Sequence, residues 1–121
     1  MNEAQNSKRY DLEDRTLEFA KQVRSFATGL KNTPANMEDG KQLIKSSGSI
    51  GANYIEANEA LSKKDFIMRI KICRKEAKES RYWLRLVDTG GKSELEQARK
   101  TLEAEAQELT HIFGSIVTKS E

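Results

Sequence analysis

Residues 37–61 read MEDGKQLIKSSGSIGANYIEANEAL, and within them Leu43, Ser47, Ile50, Tyr54, Ala57 and Leu61 recur at intervals of four and three. That interval is the seam of a helix packed along its length. A second stripe, Gln42, Ser46, Ser49, Asn53, Glu56 and Ala60, runs beside it, and a flank of Ile44, Gly51 and Ile55 lies on the other side. Only Lys41, Lys45 and Glu59 mark a strongly solvated window. A helix covered on one side needs an apolar face of a little over about 100°, and this one offers small or apolar groups around far more of its circumference. The reading is contact on two sides, one inside a bundle and one with another copy of the chain. Ser47-Gly48-Ser49-Ile50-Gly51 lacks the Gly-Lys-Ser/Thr of a phosphate loop, so its glycines read as sites of close helix packing.

Working outward, three more helices are expected. In residues 12–32, Leu12, Thr16, Phe19, Val23, Phe26 and Leu30 form a seam, with Asp11 as N-cap and Asn32-Thr33-Pro34 as the turn into a second helix over 37–61, capped by Asn36. A third helix over 63–89 opens with Ser62 and Asp65 as a capping box and Leu61 with Phe66 as a hydrophobic staple, and it stops at Gly90-Gly91. It too carries two apolar stripes, one of Phe66, Ile70, Cys73, Ala77 and Leu84, the other of Met68, Ile72, Trp83 and Leu86. The fourth helix, over 94–117, opens with the capping box Ser93/Glu96, and its seam is Leu95, Ala98, Leu102, Ala106, Leu109, Phe113 and Ile116. Thr118–Glu121 is expected to fray. Short connections favour antiparallel neighbours. The fold class is all-α, an antiparallel up-down-up-down four-helix bundle forming one domain over residues 1–121.

Composition narrows the function. One cysteine among 121 residues excludes an internal disulfide framework, and one histidine leaves little for metal or acid–base chemistry. No apolar run approaches the roughly 18 residues of a membrane span, and no secretory leader opens the chain, so a cytoplasmic protein without membrane contact is expected. The net charge is only +2, but residues 63–91 hold nine Lys/Arg against four Asp/Glu, a net of +5.

The runs Gln42-Leu43, Ser46, Ser49-Ile50, Asn53, Glu56-Ala57 and Asp65-Phe66, Ile72, Glu79, Trp83-Leu84-Arg85-Leu86 resemble the second and third helices of the bacterial four-helix bundle family that includes proteins encoded in intervening sequences of large-subunit ribosomal RNA genes. The resemblance spans Tyr10 to about Val117 and is carried by the block Ser47–Leu86. That family is similar in fold to the accessory variability proteins of diversity-generating retroelements, which form barrel-shaped homopentamers and bind nucleic acid and a reverse transcriptase. The resemblance therefore implies a homo-oligomeric ring, with a pentamer favoured, and RNA, DNA or a nucleic-acid-processing protein as partner. The chain departs from those relatives in being only mildly basic.

Lys64, Lys71, Lys75, Lys78 and Arg85, with Tyr82 among them and Arg74 and Arg81 at the border, are the candidate nucleic-acid-binding residues. Cations at this spacing track a phosphate backbone, and an aromatic ring stacks on bases; the plainer alternative is a solvated helix face. Gln42, Ser46, Ser49, Asn53, Glu56, Arg69, Glu79 and Trp83 read as a structural polar network or interface, in which Glu56 is expected to pair with Arg69 or another base, within or between subunits. Trp83 reads as an interface anchor. Glu108-Leu-Thr-His111 has the spacing of half a di-iron site, but with no second histidine it reads instead as a histidine capping carbonyls in a last helical turn. Cys73 falls on the apolar stripe without a histidine beside it and reads as core. No nucleophile–base set, paired acids or cofactor loop appears, so no catalytic residue, metal or cofactor is expected and the protein reads as a non-enzyme. The alternative to nucleic-acid binding is a purely structural oligomer with a protein partner.

Overall fold

The computed structural model describes the backbone from residue 3 onward and the side chains from residue 12 onward. Four helices follow one another: α1 (Glu3–Thr28), α2 (Pro34–Asn58), α3 (Lys63–Leu86) and α4 (Ser93–Ser120), with no strand among the described residues. Each of α2 and α4 packs closely on α3, α1 lies against α2, and α1 and α4 touch more lightly. The result is the up-down-up-down four-helix bundle, with rods about 36–42 Å long at 1.5 Å per residue.

The seams meet in one core. Phe19, Val23 and Phe26 from α1, Leu43, Ile50, Tyr54 and Ala57 from α2, Ile70, Cys73, Ala77 and Leu84 from α3, and Leu102, Ala106, Leu109 and Phe113 from α4 are all buried. Leu12, Leu30, Phe66, Leu95 and Ile116 close the core at its ends. Thr16 is also buried, its hydroxyl donating to the Leu12 carbonyl at 2.8 Å, which satisfies a polar group that would otherwise be costly there. Arg15 clasps α1 to α4 through two bonds to Glu105, at 2.7 and 2.8 Å, the bidentate geometry in which a partly exposed pair contributes most.

The glycines of α2 do bring helices together. A Cβ placed on Gly51 would stand 2.9 Å from Thr16 Oγ1, whereas one on Gly40 would meet nothing within 4 Å. Gly→Ala within a helix gains roughly 0.5–1 kcal/mol in backbone entropy, and overpacking a filled contact costs about 1–3 kcal/mol. Gly40→Ala should therefore raise the urea midpoint, and Gly51→Ala should lower stability by about 1 kcal/mol net. Equal shifts in both variants would show that α1 and α2 are not closely packed.

The helix ends differ from the sequence reading in instructive ways. Asp11 lies within α1, whose backbone is helical from Glu3, and its side chain is outside the described residues. The cap of α2 is Thr33, whose hydroxyl accepts from the Asn36 amide at 3.1 Å, with Pro34 at the first helical position. Asn36 is instead a buried tie between loops: its Nδ2 donates to Lys31 O and Asp88 O, and its Oδ1 accepts from the Asp88 amide. Ser62 caps α3 as expected, accepting from the Asp65 amide. Leu61, however, is 98% exposed. The chain leaves the helical track after Asn58, where the Glu59 amide is shared between the Ile55 and Glu56 carbonyls, so Leu61 joins neither the seam nor a staple.

At the far end of α3, Val87 turns extended and plugs the core, and Gly90 and Gly91 take φ of +68° and +74°, a region that disfavours side chains. The helix stops three residues before Thr89 because Arg99 of α4 captures its last carbonyls, bonding Leu84 O, Arg85 O and Val87 O. Ser93 makes no cap on α4, which follows Lys92. The Glu96 carboxylate is engaged by the Thr89 hydroxyl and by Arg99 Nη2 at 2.7 Å. The tail stays helical to Ser120.

Candidate nucleic-acid interface

The outer face of α3 carries Lys64, Lys71, Lys75, Lys78, Tyr82 and Arg85, all exposed, with Arg74 and Arg81 half-buried toward α4. Three of these cations have acids nearby, but loosely: Lys71 to Glu121 at 3.9 Å, Lys75 to Glu76 at 4.0 Å and Arg85 to Glu103 at 3.9 Å. Exposed pairs at such distances contribute little, so the positive charge stays available to a ligand. Lys64 and Lys78 have no ion pair among the described residues. Arg74 lies across α4 where Gly114 leaves room: a Cβ there would sit 3.7 Å from Arg74 Cδ.

Toward α4 the strip dips into a cleft of about 230 Å³, with Lys78, Arg81, Tyr82 and Arg85 on one wall and Gln107, Thr110 and His111 on the other. His111 is thus not in a last turn capping carbonyls; α4 continues nine residues past it to Ser120, and its ring stands exposed beside three cations. Arg81 Nε is withdrawn from solvent and has no acceptor among the described residues. Tyr82 is 58% exposed and sits edge-on to Trp83, with ring centres 4.9 Å apart.

The polar stripe of α2 mostly fixes its register against α3. The Ser80 hydroxyl donates to Ser46 Oγ at 3.0 Å, and Arg69 Nη1 donates to Asn53 Oδ1 at 3.0 Å. Asn53 in turn donates to Ser49 O, and Ser49 to Lys45 O. Arg69 therefore bonds Asn53 rather than Glu56, and among the described residues the exposed Glu56 carboxylate has no ion-pair partner. The asparagine one turn earlier lies closer to the α2–α3 seam than Glu56 does. Gln42 and Glu79 are also exposed, and Trp83 is half-buried. Glu76 sits at the same seam, its carboxyl pushed up by burial and by the neighbouring Glu79. Cys73 is buried with its thiol toward Ile50 O, and burial pushes it up to about 12.

The second apolar sides read from the sequence lie on the surface of the single chain. Met68, Ile72, Trp83 and Leu86 are half-buried or exposed on α3. A groove of about 590 Å³ between α1 and α2 is lined by Ala20, Gly48, Gly51 and Ala52, by Leu17 and Ile55, each more than half exposed, and by the charged Glu13, Asp14, Lys21 and Arg24. Leu17 was missing from the sequence reading because it lies off the α1 seam; its relation to Ile55 follows only from how α1 and α2 cross.

The family model described as 23S rRNA-intervening sequence protein matches residues 8–115. Among solved structures, the chain is similar to a crystal structure of a protein with unknown function from the S23 ribosomal protein family of Bacteroides thetaiotaomicron. The two are 32% identical with a TM-score of 0.75, over 88% of this chain and 97% of that one. No curated protein matches the chain.

Proposed function

The chain belongs to the 23S rRNA-intervening sequence protein family, and from that premise we propose that it is a non-enzymatic, homo-oligomeric helical scaffold that binds nucleic acid, RNA or DNA. The observation that carries this reading is the concentration of cations on one face of α3 with only loose acidic partners. A pentameric ring is the favoured assembly, by the likeness of the family's fold to ring-forming relatives. The α1–α2 groove rimmed by Leu17 and Ile55 is the surface a second copy would cover, because exposed apolar clusters of this kind mark interaction sites. Repeating the α3 strip around a ring multiplies a weak affinity per subunit through effective concentration. The absence of catalysis is part of the proposal, and it is supported by the one cysteine being buried and held as a thiol. A nucleic-acid-processing protein is the further partner this reading accommodates. No helix among the described residues is long and apolar enough to cross a membrane.

Two measurements test it. Light scattering behind size exclusion should give a mass near five times the 13.7 kDa subunit, and Ile55→Lys, a change at a position 54% exposed, should leave the fold intact and give smaller species. A wild-type monomer overturns the assembly. Binding of a single-stranded RNA should fall with salt at a log–log slope of about −2 for three phosphates neutralised, or some 15-fold between 50 and 200 mM. No binding at 50 mM overturns the nucleic-acid reading and favours a protein partner, for which the apolar groove is the natural docking surface.

A further inference from the structure

We propose that the cleft between α3 and α4 is the seat of one phosphate group of the bound strand, with the Tyr82 ring receiving the adjoining base. This rests on the nucleic-acid reading above and narrows it from a face to a point. Three cations, Lys78, Arg81 and Arg85, converge on the cleft from one helix, and Gln107 and His111 supply further N–H donors from the other. The acid nearest Arg85 is Glu103, at 3.9 Å, beyond hydrogen-bond length, so the guanidinium fork is free to grip an oxyanion.

Three other arginines drawn into helix seams bond within the fold. Arg15 is bonded to Glu105, Arg69 to Asn53, and Arg99 to the end of α3. Arg81 makes no such bond among the described residues, and its Nε, like that of Arg99, is out of solvent without an acceptor. A buried N–H left without an acceptor is costly unless a ligand oxygen reaches it. The cleft volume of about 230 Å³ falls below the roughly 300–1,000 Å³ of sites that swallow a whole small molecule. It fits a phosphate group and leaves the attached base outside. There Tyr82, steadied edge-on by Trp83, presents an exposed face, the arrangement by which aromatic side chains hold bases without reading sequence.

The test compares Arg81→Gln with Lys64→Gln, which removes the same charge from the opposite end of α3. Binding of a short single-stranded RNA is followed by fluorescence anisotropy, and inorganic phosphate is titrated in parallel against amide NMR signals. Expected are saturable phosphate shifts confined to residues 78–85 and 107–111, absent in Arg81→Gln. RNA affinity should fall about tenfold in that variant and only two- to threefold in Lys64→Gln. Equal losses in the two variants overturn the seat and leave a diffuse attraction, with the nucleic-acid reading standing. Saturable phosphate shifts without RNA binding by the wild type keep the cleft as an oxyanion seat and overturn the nucleic-acid reading instead. If Arg81→Gln fails to fold, Arg81→Lys replaces it. That variant keeps the charge and loses the planar fork, so a three- to fivefold loss is expected, and wild-type affinity overturns the proposal.

Discussion

Arg99→Ala is expected to lower the unfolding free energy by about 3–4 kcal/mol, the largest effect of any single truncation outside the apolar core. The guanidinium bonds Leu84 O at 3.1 Å, Arg85 O at 3.2 Å, Val87 O at 2.8 Å, Thr89 Oγ1 at 3.3 Å and Glu96 Oε2 at 2.7 Å. The last carbonyls of a helix have no partner within it, and here one side chain from the next helix supplies them. Hydrogen bonds to a charged group contribute about 1.5–3 kcal/mol, and each partly buried acceptor left unpaired adds a further penalty. Arg99→Lys should recover less than half of the loss, because an ammonium cannot span three carbonyls in one plane. The acid side of the stability profile should change as well. The Glu96 carboxyl is held below the usual carboxylate range, first by the Thr89 hydroxyl and then by Arg99. Its folded value lies below its unfolded one, so its contribution is present above about pH 4.3 and is lost as pH falls through the folded value. Thermal melts across pH 3–7 should show that acid limb flattened in Arg99→Ala. A variant melting within 2 °C of wild type would mean the end of α3 is capped by water instead.

Asn36→Ala should cost about 2–3 kcal/mol, measured by urea denaturation at neutral pH. Its amide makes three bonds, to Lys31 O at 3.0 Å, to Asp88 O at 2.9 Å and from the Asp88 amide at 2.9 Å. The side chain is 5% exposed, so water replaces these bonds poorly. Asn36→Asp should be worse than alanine, because a carboxylate would face two carbonyl oxygens across hydrogen-bond distance. An aspartate variant as stable as wild type would show that the loops are not tied through this residue.

These two side chains also mark where sequence reading stopped. The four seams were legible because each is a periodicity within one helix: Phe19, Ile50, Ile70 and Leu109 all point inward as their spacing demands. Arg99 and Asn36 carry no such signal. Their partners lie up to 52 residues away, and which carbonyls they meet depends on how far one helix slides along another. The same limit divides the candidate site. The basic strip sits on one helix and is readable as a face, whereas the cleft draws half its wall from α4, so the sequence gives no sign of Gln107 there and makes His111 a carbonyl cap. Leu61 misled in the opposite sense. Its interval continues the α2 seam, but the helix had already ended at Asn58, and an interval says nothing about where a helix stops. Asn53, not Glu56, met Arg69, because the seam between two helices is narrower than a stripe of residue letters.

The antiparallel path places the α1–α2 and α3–α4 connections together at one end of the rod, where Asn36, Arg99 and Glu96 bind them. The α2–α3 connection stands at the opposite end, with the Leu61 side chain bare. Tolerance to engineering is therefore lopsided. Foreign loops or affinity tags spliced at residues 60–61 interrupt no bond between helices among the described residues, while the same insert at 88–90 severs the ties that hold both hairpins in step.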